Sequence, residues 1–241
     1  MPNPTAAMLV IGDEILSGRT QDGNTHYLAG QLTQHGVSLR EVRVVADDHG
    51  AIVAAVNALR AVYDHVFTSG GIGPTHDDIT ADAIADAFGV HIGIRKDAHD
   101  LLAAHYARQA LEFNTARQRM ARIPDGATLI DNPISVAPGF TIGNVHVMAG
   151  VPSIFQAMVA SVLPGITGGA PLVSRSLRVE RGEGEIAASF GALAAEFADL
   201  SMGSYPFISN GRHGTNLVIR GTDPALVETA MARLTAMFPP A

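Results

Sequence analysis

The first 168 residues alternate short apolar runs with one-sided amphipathic stretches, an order that few folds accommodate. "TAAMLVIG" (5–12), "VSLREVRVVA" (37–46) and "HVFTSG" (65–70) are strand candidates. Between the first two, Asn24 can cap a helix with Tyr27, Leu28 and Leu32 along one side, stopped by Gly36. "DDHGAIVAAVNALRAVYD" (47–64) repeats Ile52, Val56, Leu59 and Tyr63 at helical spacing. Ile79, Ala83, Ile84, Ala87 and Phe88 mark the next helix, ended by Gly89. This β-α-β-α-β-α order predicts an α/β unit whose mostly parallel sheet is sandwiched by helices. One or two further helices follow over 97–122, then strands at "ATLIDN" (127–132) and "GFTIGNVHVMAG" (139–150), the latter a candidate hairpin around Gly143-Asn144. "VPSIFQAMVASVL" (151–163) closes the unit as a helix with Pro152 in its first turn.

"PGITGGAP" (164–171) is dense in the residues that break elements, which puts a domain boundary near residue 168. Residues 169–241 then read β-α-β-β-α, a small α+β unit that is expected to lean on the first domain or on another subunit. At 241 residues, 47% hydrophobic and 16% charged, the chain has the material for a full core. Its net charge of −7 gives no electrostatic footprint for a nucleic-acid backbone, so no nucleic-acid partner is expected. No cysteine is present, which removes disulfides, thiolate catalysis and cysteine-based zinc sites. "MPNPTAAMLVIGDEILSG" has no basic leader and meets Asp13 and Glu14 early, and no apolar run reaches membrane-span length. A soluble, cytoplasmic protein with no membrane partner is the expectation.

In an open parallel sheet, ligands bind beyond the carboxyl ends of the strands, where strand order reverses. Three polar segments fall there: Gly12-Asp13-Glu14 with Gly18, then Asp47-Asp48, then "TSGGIGPTHDDIT" (68–80). Glycines in the third let backbone amides approach an anion, yet its adjacent aspartates repel a phosphate unless a cation or proton intervenes. Gly71-Ile72-Gly73 begins like a dinucleotide fingerprint, but His76 stands where its third glycine belongs and the motif follows the third strand. Neither a Walker A sequence, nor H-E-x-x-H, nor G-x-S-x-G occurs. Each acid also has a plainer role open to it. Asp77 or Asp78 can cap the helix at Ile79, Asp47 can cap the helix after it, and Asp13 and Glu14 can be solvated loop charges. A cap needs one carboxylate, however, and the loop supplies two.

"GDEILSGRTQDGNT" followed by "SGGIGPTHDDIT" resembles the molybdopterin-binding domain shared by MogA/MoaB-like proteins, the CinA family and eukaryotic FAD synthases, and is closer to the CinA and FAD-synthase branch than to the others. "GEGEIAASFGAL" and "GTNLVIRG" resemble the small middle domain of CinA proteins. Carried over residue by residue, the resemblance makes Asp78 and Asp47 catalytic. It assigns ligand and phosphate binding to Gly12, Asn24, Ser69, Gly70, Gly71, Gly73, Pro74, Thr75, Thr80, Pro138 and Gly139, and a metal to Asp13, Asp77 and Asp78. "NPISVAPGF" (132–140) matches a segment near the pocket, except that Ile134-Ser135-Val136 replaces a stretch that should contain glycine. The activity implied is divalent-metal-dependent hydrolysis of a nucleotide pyrophosphate such as ADP-ribose or FAD, releasing AMP. Oxygen ligands favour magnesium or manganese, while His76 would add affinity for cobalt. A non-catalytic nucleotide- or pterin-binding module is the alternative, with molybdopterin as ligand; molybdopterin adenylylation is a third reading, disfavoured by the CinA-like loop. Many CinA proteins also carry a C-terminal amidase domain, which these residues do not include. Relatives form dimers or trimers, so a homo-oligomer is expected, with Met8, Phe140 or the small C-terminal unit as interface candidates.

Overall fold

The computed structural model describes residues 3–209 and 211–239, and the chain divides into two units, Met1–Gly169 and Ala170–Ala241. The first unit is built on β1 (Thr5–Ile11), β2 (Ser38–Val45), β3 (His65–Ser69), β6 (Thr128–Ile130), β7 (Gly139–Ile142) and β8 (Val145–Met148), ordered β2-β1-β3-β8-β7-β6. The β2, β1, β3 and β8 strands run parallel, while β7 and β6 are antiparallel additions through the hairpin at Gly143-Asn144. Alternation along β1 sends Leu9 to one face and Met8 and Val10 to the other.

Helices α3 (His49–Arg60), α4 (Thr80–Phe88) and α5 (Lys96–Arg108) cover the first face, with Ile52, Val56, Leu59, Ile84 and Leu102 packed on Leu9, Val66 and Val147. Helices α2 (Asn24–His35) and α7 (Pro152–Val162) cover the second, where Leu28, Leu32, Phe155 and Met158 meet Met8, Phe67 and Met148. Met8 and Phe140 are 0% and 1% exposed, which corrects their reading as interface residues: both are core.

Three local elements depart from expectation. Asp13–Leu16 forms a single helical turn, α1, inside a segment that reads as loop. Residues 97–122 divide into α5, the short α6 (Thr115–Gln118) and a 3-10 turn at Arg119–Ala121. The paired strands β4 (Ile92–Ile94) and β5 (Arg122–Pro124) are new, being three residues each and too short to display a period.

The second unit runs β9 (Val173–Val179), α8 (Glu183–Glu196), β10 (Ser201–Ser209), β11 (Arg212–Gly221) and α9 (Pro224–Met237). Its antiparallel sheet is ordered β10-β11-β9. Both helices insert into one face, joining Ile186, Phe190, Leu193, Val227 and Leu234 to Val179, Leu217 and Ile219.

Candidate functional site

The strand order reverses at β1, which has β2 on one side and β3 on the other, so the tips of these three strands open onto one edge. The Gly12 amide donates to the Val45 carbonyl (3.1 Å) and the Asp13 amide to the Asp47 carboxylate (3.0 Å), tying the first two tips together. At the third, the Gly70 amide donates to the Met148 carbonyl and the Thr80 amide to the Gly71 carbonyl. Glycine is obligatory at two places. Gly70 has φ of 113°, with its missing Cβ aimed 2.2 Å from the Ile11 carbonyl, and Gly71 has φ of 69°, its Cβ position 2.1 Å from the Thr80 hydroxyl.

Between the tips lies a cleft of about 510 Å³. Gly12 and Glu14 enter it from the first tip, Asp47 from the second, and Gly70, Gly71, Gly73, Pro74, Asp77 and Asp78 from the third. Asn132, Ser135 and Ala137 form the facing wall, with Gly150 and Pro152 beside them. None of the residues lining the cleft is Lys, Arg or His. Burial raises the pKa of Asp47 first; the Asp13 amide opposes that, while the charges of Asp13, Glu14 and Asp77 push it further up. Acids from all three loops therefore act on one another.

The capping alternatives are corrected. Asp48, not Asp47, caps α3 by accepting from the Ala51 amide. Helix α4 starts at Thr80 with no side-chain cap, and the Asp78 carboxylate instead accepts from the Thr75 amide (2.8 Å) and hydroxyl (2.6 Å). Asn24 does not cap α2 either: Asp22 accepts from the Asn24 and Thr25 amides, while Asn24 turns inward and its Nδ2 donates to Ser69 Oγ and the Gly150 carbonyl (both 2.8 Å).

The remaining expected residues lie around the cleft rather than in it. Asp13 does not line it, and His76 is 99% exposed beside Asp77. Ser69 and Asn24 are buried side by side next to it. Thr75 engages Asp78, and the Thr80 hydroxyl is buried without a partner under Gly71. Pro138 faces a small chamber behind the glycine loop, whereas Gly139 opens β7, its Cβ position 2.4 Å from the Val147 carbonyl.

That chamber, about 20 Å³, holds groups that sequence reasoning missed. Arg119 Nη2 donates to the Asp78 carbonyl (3.3 Å), and its Nε is buried without a partner. Arg122 forks onto Asp82 at 2.8 and 2.5 Å. Both arginines lie some forty positions beyond the loop, on elements with no recognisable period, so no sequence signal linked them to it.

Among the described residues no three His, Cys, Asp or Glu side chains come together as a ready metal cage. The cleft's carboxylates are nevertheless hard oxygen donors, suited to a divalent cation that takes one or two of them and completes its shell with water and phosphate oxygens.

Together the fold and cleft define an α/β protein with a glycine-floored cleft ringed by acids at its topological switch point. Residues 7–168 match the family model described as "Probable molybdopterin binding domain", and residues 171–241 match that of the FAD synthase middle domain. The chain belongs to the molybdopterin-binding domain family, and within it is CinA-like. It is 32% identical over 255 aligned positions to a "Probable FAD synthase" of Caenorhabditis elegans, covering 95% of this chain and 49% of that protein. It is 36% identical over 206 positions to a "CinA-like protein" of Citrifermentans bemidjiense, covering 83% and 48%. The chain thus spans about half the length of these relatives. The crystal structure of CinA from Thermoplasma acidophilum, described as of unknown function, superposes with a TM-score of 0.63 at 32% identity, over 68% of this chain and 99% of that one.

Proposed function

We propose that this protein hydrolyses a nucleotide pyrophosphate of the ADP-ribose or FAD class, releasing AMP, in a divalent-metal-dependent reaction. The observation that carries the reading is the meeting of Glu14, Asp47, Asp77 and Asp78, from three strand tips, around a cleft floored by Gly70, Gly71 and Gly73. A diphosphate beside so many acids needs a counter-charge, and a bound cation held by Asp77 and Asp78, with Asp47 near, would supply it. The backbone amides of Gly71 and Gly73 would donate to phosphate oxygens. Asp47, its pKa already raised, is suited to accept the proton of an attacking water. The water oxygen bonds to the α-phosphorus, the anhydride P–O bond breaks, and the second phosphate leaves.

The test is a hydrolysis screen of ADP-ribose and FAD with magnesium, manganese, cobalt or no metal, following AMP. Metal-dependent AMP release is expected, falling at least a hundredfold in Asp78→Ala. A non-catalytic pterin- or nucleotide-binding module is the second reading, favoured by the engagement of the Asp78 carboxylate with Thr75. Binding of ADP-ribose or FAD with no turnover in any metal would select it.

A further inference from the structure

The second unit carries a surface that the whole-chain charge conceals. Its helices both pack on one side of the β10-β11-β9 sheet, and the other side faces outward. Strand register fixes what stands there. The positions paired across that face include Tyr205 with Asn216, Phe207 with Gly214, Ser209 with Arg212, Asn216 with Arg178 and Val218 with Ser176. Arg178, Arg212 and Arg220 project from it, and no Asp or Glu occupies an outward position within the three strands. Glu180, just past β9, makes a loose 3.8 Å pairing with Arg212. In a chain of net charge −7, an acid-free cationic sheet face is a local reversal of sign.

The same face presents planar groups. The Arg178 guanidinium sits 3.7 Å over the Phe207 ring, and Arg220 Nη1 donates to the Tyr205 hydroxyl at 3.3 Å. Tyr205 is 45% exposed. Two residues apart on one strand, the two ring stations are about 7 Å apart. Guanidinium planes and aromatic rings are the surfaces on which unpaired bases stack, and flanking arginines take the phosphates. An acidic peptide would use the charge but leave the planar stations without a counterpart.

We propose that this open sheet face binds single-stranded nucleic acid, with bases on Tyr205 and on the Arg178–Phe207 stack and phosphates on Arg178, Arg212 and Arg220. The proposal is independent of the cleft. It is tested by fluorescence anisotropy of the full chain with labelled oligo(U) and oligo(dT) of roughly 12 nucleotides. Binding to at least one strand is expected from about 50 mM salt, weakening roughly fourfold for each doubling of salt as three phosphate contacts require. Tyr205→Ala is expected to weaken it at least fivefold. Arg178→Gln, which spares the aromatic core of the face, gives a second arm should Tyr205→Ala fail to fold; it is expected to weaken binding and flatten the salt dependence. Absence of binding to either oligonucleotide, or binding that both folded variants retain unchanged, would overturn the proposal. So would a shift from dimer to monomer in Arg178→Gln, which would make the face a contact between copies of this chain.

Discussion

At the scale of single residues, two positions hold unfavourable states, one in the cleft and one in the segment that walls it. Asp47 is the first. Its pKa lies above the ordinary 3.8 because burial disfavours the charge. A carboxyl raised in the fold holds a proton that the unfolded chain has released, so its contribution to stability is present at low pH and is lost as pH rises through the raised value. At neutral pH the ionised Asp47 is therefore a liability. Asp47→Asn, which can still accept from the Asp13 amide, is expected to raise the thermal midpoint slightly at neutral pH while turnover falls sharply. A lower midpoint in that variant would show the charge to be compensated. Val136 is the second. A β-branched residue at φ of 66° is strained, and it stands in the segment where a glycine-containing stretch was expected. Val136→Gly should stabilise the protein by up to about 1 kcal/mol in denaturant unfolding, the relief of strain outweighing the entropy glycine adds to the unfolded chain.

Among elements, the telling connection is the fork of Arg122 onto Asp82, which fastens β5 to α4 directly behind the glycine loop. Both side chains are about 30% exposed, between the surface pairs that contribute little and the buried pairs whose breakage is severe. Arg122→Ala is expected to cost about 1–2 kcal/mol. A double-mutant cycle with Asp82→Ala measures the coupling, and a value near zero would mean that the pair only decorates the joint. This connection also marks how far the sequence could be read. Strands and helices with a full period, such as β1, β3, α3 and α4, were legible because burial on one face imposes it. The three glycine- and acid-bearing tips were legible because their place at strand ends follows from that order. What stayed hidden depended on contacts across the chain. Asn24 reached across to Ser69 and Gly150, and Arg119 came up behind Asp78. Local propensity assigns Asp and Asn to caps, and only tertiary packing reassigns them.

For the molecule as a whole, a response to acid follows from one histidine pair, half of it buried, in the sheet of the first unit. His146 on β8 is 6% exposed, with Nε2 3.3 Å from His65 Nδ1 on β3 and Nδ1 3.0 Å from the Thr141 hydroxyl. Burial first, and the neighbouring His65 second, push its pKa down to about 4 from an ordinary 6.5. His65 is also lowered by burial, with Asp64 opposing. Below pH 6.5 the unfolded chain takes up a proton that the native sheet refuses, so the stability that neutral His146 contributes is complete above that pH and drains away as pH falls toward 4. The loss amounts to about 3 kcal/mol at the lower end. Both histidines of the pair lie in the first unit, so the acid loss they cause belongs there. Urea unfolding across this range should show stability declining toward acid, and native-state hydrogen exchange should place the weakening at β3 and β8 rather than at β9–β11. His146→Gln keeps polar atoms beside Thr141 and His65 but cannot take the proton, so its decline should be shallower by about that amount. An equally steep decline in the variant would mean that the acid sensitivity arises from the carboxylates of the molecule and not from this pair.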